Sequence, residues 1–225
     1  MTNTDFLANL IHNGVHRIGE IKIKTFDSID RFLILHHLDC EQLELPGFSS
    51  LEQFRGPSAA RDLSTYSQDG TYRFTKGQVN LKRGWVMILE SLGDLHLALD
   101  QFYPAGIGLW NAASNDGLQV ENLRDKLERQ TGMYRSAKFI STPGAQELVR
   151  KVCGPAHQCA KRILWRIDAA TPLEDSEASR FDGIASGLPE SEAIPLICQE
   201  ACNHFVSECR KVSKQEHDAK RGPES

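Results

Sequence analysis

Apolar positions at Phe6, Leu7, Leu10, Ile11 and Val15 recur every three or four residues, which predicts a short amphipathic helix over residues 5–16. Residues 18–26 alternate around Ile21 and Ile23, and 31–38 is an apolar run; both read as strands, joined by a turn at 27–30. Residues 45–56 carry Pro46, Gly47 and Gly56 and read as turns, 59–66 reads as a helix capped by Ser58, and 68–70 turns again. The apolar, β-prone stretch 84–90 predicts a strand, and Ser91 is placed to cap a helix carrying Leu92, Leu95, Leu99 and Phe102. Pro104 ends that helix, a second follows over 105–113, and 114–117 is the expected domain boundary.

Beyond it, 121–129 predicts a charged helix, 131–140 an extended segment, and 143–152 a helix with Pro143 in its first turn and Cys153 just past its end. Residues 169–192 are acidic and rich in Pro and Gly, a long loop of a length that suits wrapping a site. A last helix is expected over 199–214, with Phe205, Val206, Cys209 and Val212 on its buried stripe, followed by a solvated tail over 214–225. The expected fold class is α/β in the α+β sense: a mixed sheet-and-helix module over 1–115 and a mostly helical module over 116–225.

At 225 residues, 40% hydrophobic and 25% charged, the chain has ordinary globular composition, which excludes disordered and collagen-like classes. Twenty-six basic against thirty acidic residues leave a net charge of −4, so no basic field attracts nucleic acid. No apolar run approaches the roughly 18 residues of a membrane span. Residues 1–15 hold Asp5, Asn9, His12 and Asn13 rather than a basic end and an apolar core, so a cytoplasmic protein is expected.

Six cysteines in such a chain point to a metal or redox site more than to disulfides, because four of them fall between Cys153 and Cys202. Cys153 and Cys159 are separated by five residues and Cys198 and Cys202 by three, with 38 residues between the pairs. At i,i+4 on a helix, Cys198 and Cys202 share a face with β-carbons about 5–6 Å apart. One tetrahedral zinc needs its sulfurs roughly 3.8 Å apart, which is cramped for that pair. A [4Fe–4S] cluster takes one cysteine per iron and spreads its ligands further. The spacing favours the cluster; zinc and four buried, unligated cysteines stand as alternatives. Helix N-terminal amides at Cys198, the cations Lys161 and Arg162, and an apolar shell of Ile163, Leu164, Trp165, Ile194, Leu196 and Ile197 all suit ligated thiolates.

Three blocks carry a family resemblance: Thr131-Gly-Met-Tyr-Arg135, Cys153 to Cys159-Ala-Lys-Arg-Ile-Leu-Trp165, and Pro195-Leu-Ile-Cys-Gln-Glu-Ala-Cys-Asn203. They resemble the four-iron cluster-binding domain attached to bacterial sirohydrochlorin cobaltochelatase-like proteins. Upstream, Ala59-Ala-Arg-Asp-Leu63, Asn80-Leu-Lys-Arg-Gly-Trp85, Leu97-Ala-Leu-Asp100, Tyr103-Pro-Ala105 and Gly108-Leu-Trp110 resemble the stabilising domain that precedes it there. The resemblance implies cluster ligation by Cys153, Cys159, Cys198 and Cys202, and leaves Cys40 and Cys209 outside the set. It also implies work beside a separate sirohydrochlorin chelatase-like partner or an electron donor. The chain holds no His-Gly-Ser-type chelatase motif, and no nucleotide loop or nucleophile motif is visible either.

His157 reads as a loop histidine rather than a further ligand, and Cys209 as core, about 10.5 Å along the helix from Cys202. His36, His37, Asp39 and Cys40 look superficially like a metal set, but neighbouring strand residues point to opposite faces. Arg124, Arg129 and Arg135 read as surface ion pairs before a carboxylate-binding patch, and Trp85, Trp110 and Trp165 as core anchors. The expected function is an iron–sulfur accessory or electron-transfer protein linked to tetrapyrrole metal chelation. Two readings stand beside it: a redox enzyme acting on a tetrapyrrole, and a structural metal module serving protein interaction.

Overall fold

Local signals start most of the elements. In the computed structural model, which describes residues 1–25, 31–42, 50–115, 117–119, 121–130, 132–133, 136–153, 159–166 and 193–221, helix α1 (Asn3–His12) opens on a reciprocal cap. Asp5 N–H donates to Thr2 Oγ1 at 3.1 Å, and the Asp5 carboxylate accepts from the Thr2 backbone N–H. The chain folds as two units, one of residues 1–118 with 193–196, the other of 119–166 with 197–221. The expected turn at 27–30, the loop 169–192 and His157 lie outside the described residues.

In the first unit, β1 (Arg17–Ile18) and β2 (Ile21–Thr25) form a hairpin where one strand over 18–26 was expected. The reason is Gly19, whose φ of +53° lets the chain reverse between Ile18 and Ile21. Strand β3 (Phe32–His36) is buried at every position, consistent with its apolar run. His37 then starts α2 (His37–Gln42). Strand β4 (Glu52–Arg55) appears within the stretch read as turns, and the expected helix over 59–66 is a 3₁₀ turn at Pro57–Ala59 followed by the single-turn α3 (Ala60–Leu63). Ser58 makes no cap there, because Pro57 initiates the turn after Gly56.

Strand β5 (Trp85–Leu89) leads into α4 (Leu92–Phe102), capped as predicted by Ser91, whose Oγ accepts the Asp94 N–H at 3.1 Å. Pro104 follows that helix, and α5 (Gly106–Ser114) begins after Ala105. The sheet order is β4-β5-β3-β2-β1-β9, where β9 (Ala193–Ile194) returns from far along the sequence to pair parallel with β1. Trp85 stacks on Phe102 at 5.2 Å, with Leu95, Leu99 and Trp110 also fully buried, and the Trp85 indole N–H donates to Lys82 O. Leu33, Leu35 and Val86 form a separate apolar cluster that takes in Cys40, Leu51 and Ile88.

A buried polar network ties this sheet to its neighbours. Leu38 N–H donates to His36 Nδ1, which leaves the proton on Nε2 to donate to Glu20 Oε1 at 3.2 Å. Glu20 also accepts the Leu81 N–H and faces Arg73, while its own N–H donates to the buried Tyr103 hydroxyl at 2.8 Å. Because His37 begins a helix, its ring stacks on that of His36 at 5.0 Å instead of pointing away, and Asp39 accepts from Arg83 and the Gly84 N–H. His36 and Asp39 thus each have hydrogen-bond partners within the first unit.

The second unit is helical with short strands. Strand β6 (Glu121–Asn122) precedes α6 (Leu123–Arg129), and α7 (Thr142–Cys153) ends at Cys153, so that cysteine is the helix's last residue rather than the one beyond it. The described residues of 131–140 do not form the extended segment expected there: the Met133 and Ser136 amides donate to Gln130 O and Met133 O, Ala137–Phe139 is 3₁₀, and Met133 and Ala137 reach the core. Strand β7 (Lys161–Ile163) pairs with β10 (Leu196–Cys198), and β8 (Trp165–Arg166) with β6. The last helix, α8 (Asn203–Arg221), starts later and runs further than predicted. At its far end Ser213 donates to Ser136 O at 2.8 Å and Glu216 accepts from Ser141 N–H and Oγ, while Lys214, Gln215 and Asp218 to Lys220 are exposed. The fold is α+β, as expected, and no described helix is long and apolar enough to cross a membrane.

Candidate metal centre

Each clustered cysteine sits at an element's end. Cys153 closes α7 and is buried with Val149 and Val152; Cys159 lies two residues before β7; Cys198 closes β10; Cys202 immediately precedes α8. None of the four is in a disulfide. The expected i,i+4 helical pair is therefore corrected, because Cys198 is on a strand and Cys202 at a helix cap. The apolar run Leu196-Ile197 is buried, and Leu164 N–H donates to Cys198 O at 2.9 Å, which keeps this stretch extended.

The helix N-terminus acts on Cys202, not Cys198. Phe205 N–H donates to Cys202 Sγ at 3.5 Å, the position a capping oxygen usually takes, and Val206 N–H donates to Cys202 O. The first-turn amides of α8 thus present partial positive charge to the Cys202 sulfur. Cys198 Sγ contacts Glu200 O at 3.3 Å, the geometry of a thiol donating to a carbonyl.

Electrostatics group these sulfurs. Burial pushes the Cys198 thiol up to about 11, Lys161 pulls it down, and Cys159 and Cys202 push it up again. Negative charge on either neighbour makes a thiolate at Cys198 costlier, and a cation beside it makes it less so. Burial likewise raises Cys209 to about 12, with Cys202 adding to the effect. Cys153, Cys202 and Cys209 share the apolar cluster of Ile163, Trp165, Phe205 and Val206, whereas Cys40 lies in the first unit. Among the described residues no three His, Cys, Asp or Glu side chains are gathered to hold a single metal ion. Soft thiol donors, an apolar surround and a nearby lysine are the donor set that iron–sulfur chemistry asks for.

Two functional candidates were hidden in the sequence. Lys126, read as part of a charged helix, is fully buried and bridges Glu121 at 2.5 Å and Glu200 at 3.4 Å, so α6 holds the turn between Cys198 and Cys202. Its place between Leu123 and Leu127, on the helix's apolar side, was the available signal. The second is the buried Trp165 indole N–H, which makes no well-formed hydrogen bond yet acts to lower the Cys198 thiol's pKa. An orphaned buried donor costs about 1–3 kcal/mol. Of the arginines, Arg129 pairs with Glu121 at 2.7 Å and Arg124 reaches Ile140 O, while Arg135 lies outside the described residues.

Comparison with known proteins agrees with this picture. Residues 115–211 match the family described as 4Fe-4S iron-sulfur cluster binding domain, and residues 4–114 match the DR2241 stabilising domain. Among solved structures, DR2241 from Deinococcus radiodurans is similar at 26% identity and a TM-score of 0.70 over 94% of this chain. That structure is described as a multi-domain protein with structural similarity to chelatases and two additional novel domains, and this chain spans 41% of it. No curated protein matches. In series, then, residues 4–114 match a DR2241 stabilising domain and residues 115–211 a 4Fe–4S iron–sulfur cluster binding domain.

Proposed function

We propose that Cys153, Cys159, Cys198 and Cys202 hold one [4Fe–4S] cluster and that the chain serves as an electron-transfer accessory to a tetrapyrrole metal chelatase. The observation that carries the ligand set is the match of residues 115–211, which hold all four cysteines, to the cluster-binding family; Cys159 and Cys202 also both act on the Cys198 thiol. When bound, the cluster supplies one-electron chemistry. The chain's own residues prepare for it. The α8 amide of Phe205 donates to the Cys202 sulfur, Lys161 offsets negative charge at Cys198, and Lys126 fixes the turn carrying Glu200. Support for the chelatase link is the similarity of DR2241 to chelatases; its partner here is a separate chelatase-like protein or an electron donor.

The test is anaerobic purification with iron, acid-labile sulfide and zinc measured on one sample, and absorption before and after dithionite. About four irons and four sulfides per chain, bleached on reduction, is the expected result. Cys198→Ser and Cys202→Ser should lose iron, whereas Cys40→Ser should not. Zinc without sulfide overturns the reading, and so does full iron content in both variants.

A further inference from the structure

A cleft of about 430 Å³ opens in the first unit beside the start of α2. Buried Glu20 and His36 line it, together with Gln68, Asp69, Asn80 and Arg83. What marks the cleft is the way its amides are turned. Arg73 Nε–H can only donate, and it donates to Asn80 Oδ1 at 2.9 Å; the Arg83 backbone N–H donates to Gln68 Oε1 at 2.7 Å. Each bond commits the amide oxygen and so fixes the orientation of the group. Both NH₂ groups are left to donate, and neither has an acceptor among the described residues. Asp69 is their complement: Ser67 and Thr71 give three hydrogen bonds to its Oδ1, and Oδ2 receives none from the described residues. Water can serve any one such group, but two donors and an acceptor held in fixed orientation around one cleft make a recognition surface.

We propose that this cleft binds a neutral, polyhydroxylated small molecule of the sugar class, whose oxygens accept from Asn80 and Gln68 while one of its hydroxyls donates to Asp69. The charges require a neutral ligand. Hydrogen bonds from Ser67 and Thr71 hold the Asp69 carboxyl down at about 2, so it is ionised near neutral pH. Arg83 is paired with Asp39 at 3.0 Å, and Arg73 faces Glu20 at 3.6 Å. With both cations matched to acids, Asp69 would repel a phosphate or carboxylate. A hydroxyl, donor and acceptor in one, suits an amide NH₂ beside a carboxylate oxygen. Leu38, Val79 and Leu81 supply apolar wall for the C–H faces of a sugar ring. The proposal concerns the first unit alone and stands or falls independently of the cluster.

The full-length protein, labelled with nitrogen-15, is titrated with D-glucose, D-galactose and D-mannose, and with the uronate of each, while two-dimensional NMR follows the side-chain NH₂ signals. Asn80→Asp and Gln68→Glu identify the two signals by removing them. Each variant keeps the oxygen that Arg73 or the Arg83 N–H requires, and Gln68 is exposed, so Gln68→Glu serves even where Asn80→Asp does not fold. At least one neutral sugar should move both signals saturably, with its uronate binding several-fold more weakly. Either variant should weaken that binding about fivefold or more, the loss of one hydrogen bond. No saturable movement with any of the three sugars overturns the proposal on the wild type alone. A uronate that binds as well as its parent sugar, or a folded variant within about twofold of wild type, overturns it equally.

Discussion

Replacing Gly19 by alanine tests how the first unit is held together. Gly19 turns the β1–β2 hairpin at φ +53°, where an L side chain costs about 1–2 kcal/mol. A Cβ added there would lie 2.5 Å from the Tyr103 hydroxyl oxygen and 3.0 Å from its Cε1, well inside normal contact. The ring is only 3% exposed and has little room to retreat. If it moves, the buried Glu20 N–H loses its 2.8 Å acceptor, a further cost of about 1–3 kcal/mol. Together these predict that Gly19→Ala destabilises the first unit by about 3 kcal/mol. Urea unfolding, with hydrogen exchange of the β1–β2 amides read by mass spectrometry, measures it. Tyr103→Leu removes the obstacle, so Gly19→Ala should cost less in that background than in the wild type. A Gly19→Ala protein within about 0.5 kcal/mol of wild type would refute the reasoning, and strict additivity would show that the ring is not the obstacle.

Other outcomes follow from the same geometry. Cys209→Ser should keep its iron but lose about 1–3 kcal/mol, because it buries a hydroxyl in an apolar core; loss of iron on analysis would make Cys209 part of the site. In Lys126→Met the Glu200 turn loses its tether, while both carboxylates stay solvated at 40% and 60% exposure, so stability should fall by no more than about 2 kcal/mol. Chelators should nevertheless strip iron from it faster than from wild type, and equal rates would count against the tether. Raised thiols at Cys198 and Cys209 mean that the folded, metal-free protein holds protons the unfolded chain releases above about pH 9. Its stability should be intact below that pH and fall as pH rises toward about 11 and 12, the folded values; a flat urea midpoint from pH 8 to 10.5 would contradict this. A fragment of residues 1–118 lacks β9 and bares the β1 edge, so light scattering should find it more self-associated than the full chain, and association no greater than the full chain's would count against an exposed edge.

What was legible in the sequence was what short-range chemistry decides. Ser91 capping a helix with Leu95, Leu99 and Phe102 on one face needs only neighbours, as does the break at Pro104. Gly19 was overlooked because Ile18, Ile21 and Ile23 lie close enough together to mimic one strand. The helix expected across Cys198 and Cys202 failed for a long-range reason: Ile197 and Cys198 are held extended by β7, and the cap appears only at Cys202. Local pattern could group the four cysteines but not orient them. Lys126 and the orphaned Trp165 N–H emerge only once burial is known, since nothing in a residue's name says where its polar atom will end.

The parallel pairing of β9 with β1 has a consequence for biosynthesis. A ribosome releases residues 1–118 long before Ala193 and Ile194 leave the exit tunnel, so the nascent first unit must wait with one sheet margin unfilled while the entire intervening sequence is translated. Only three residues separate Ile194 from Cys198. The same few codons that close the sheet therefore deliver the third of the clustered thiols, and completion of one unit is timed to the arrival of cysteine for the other.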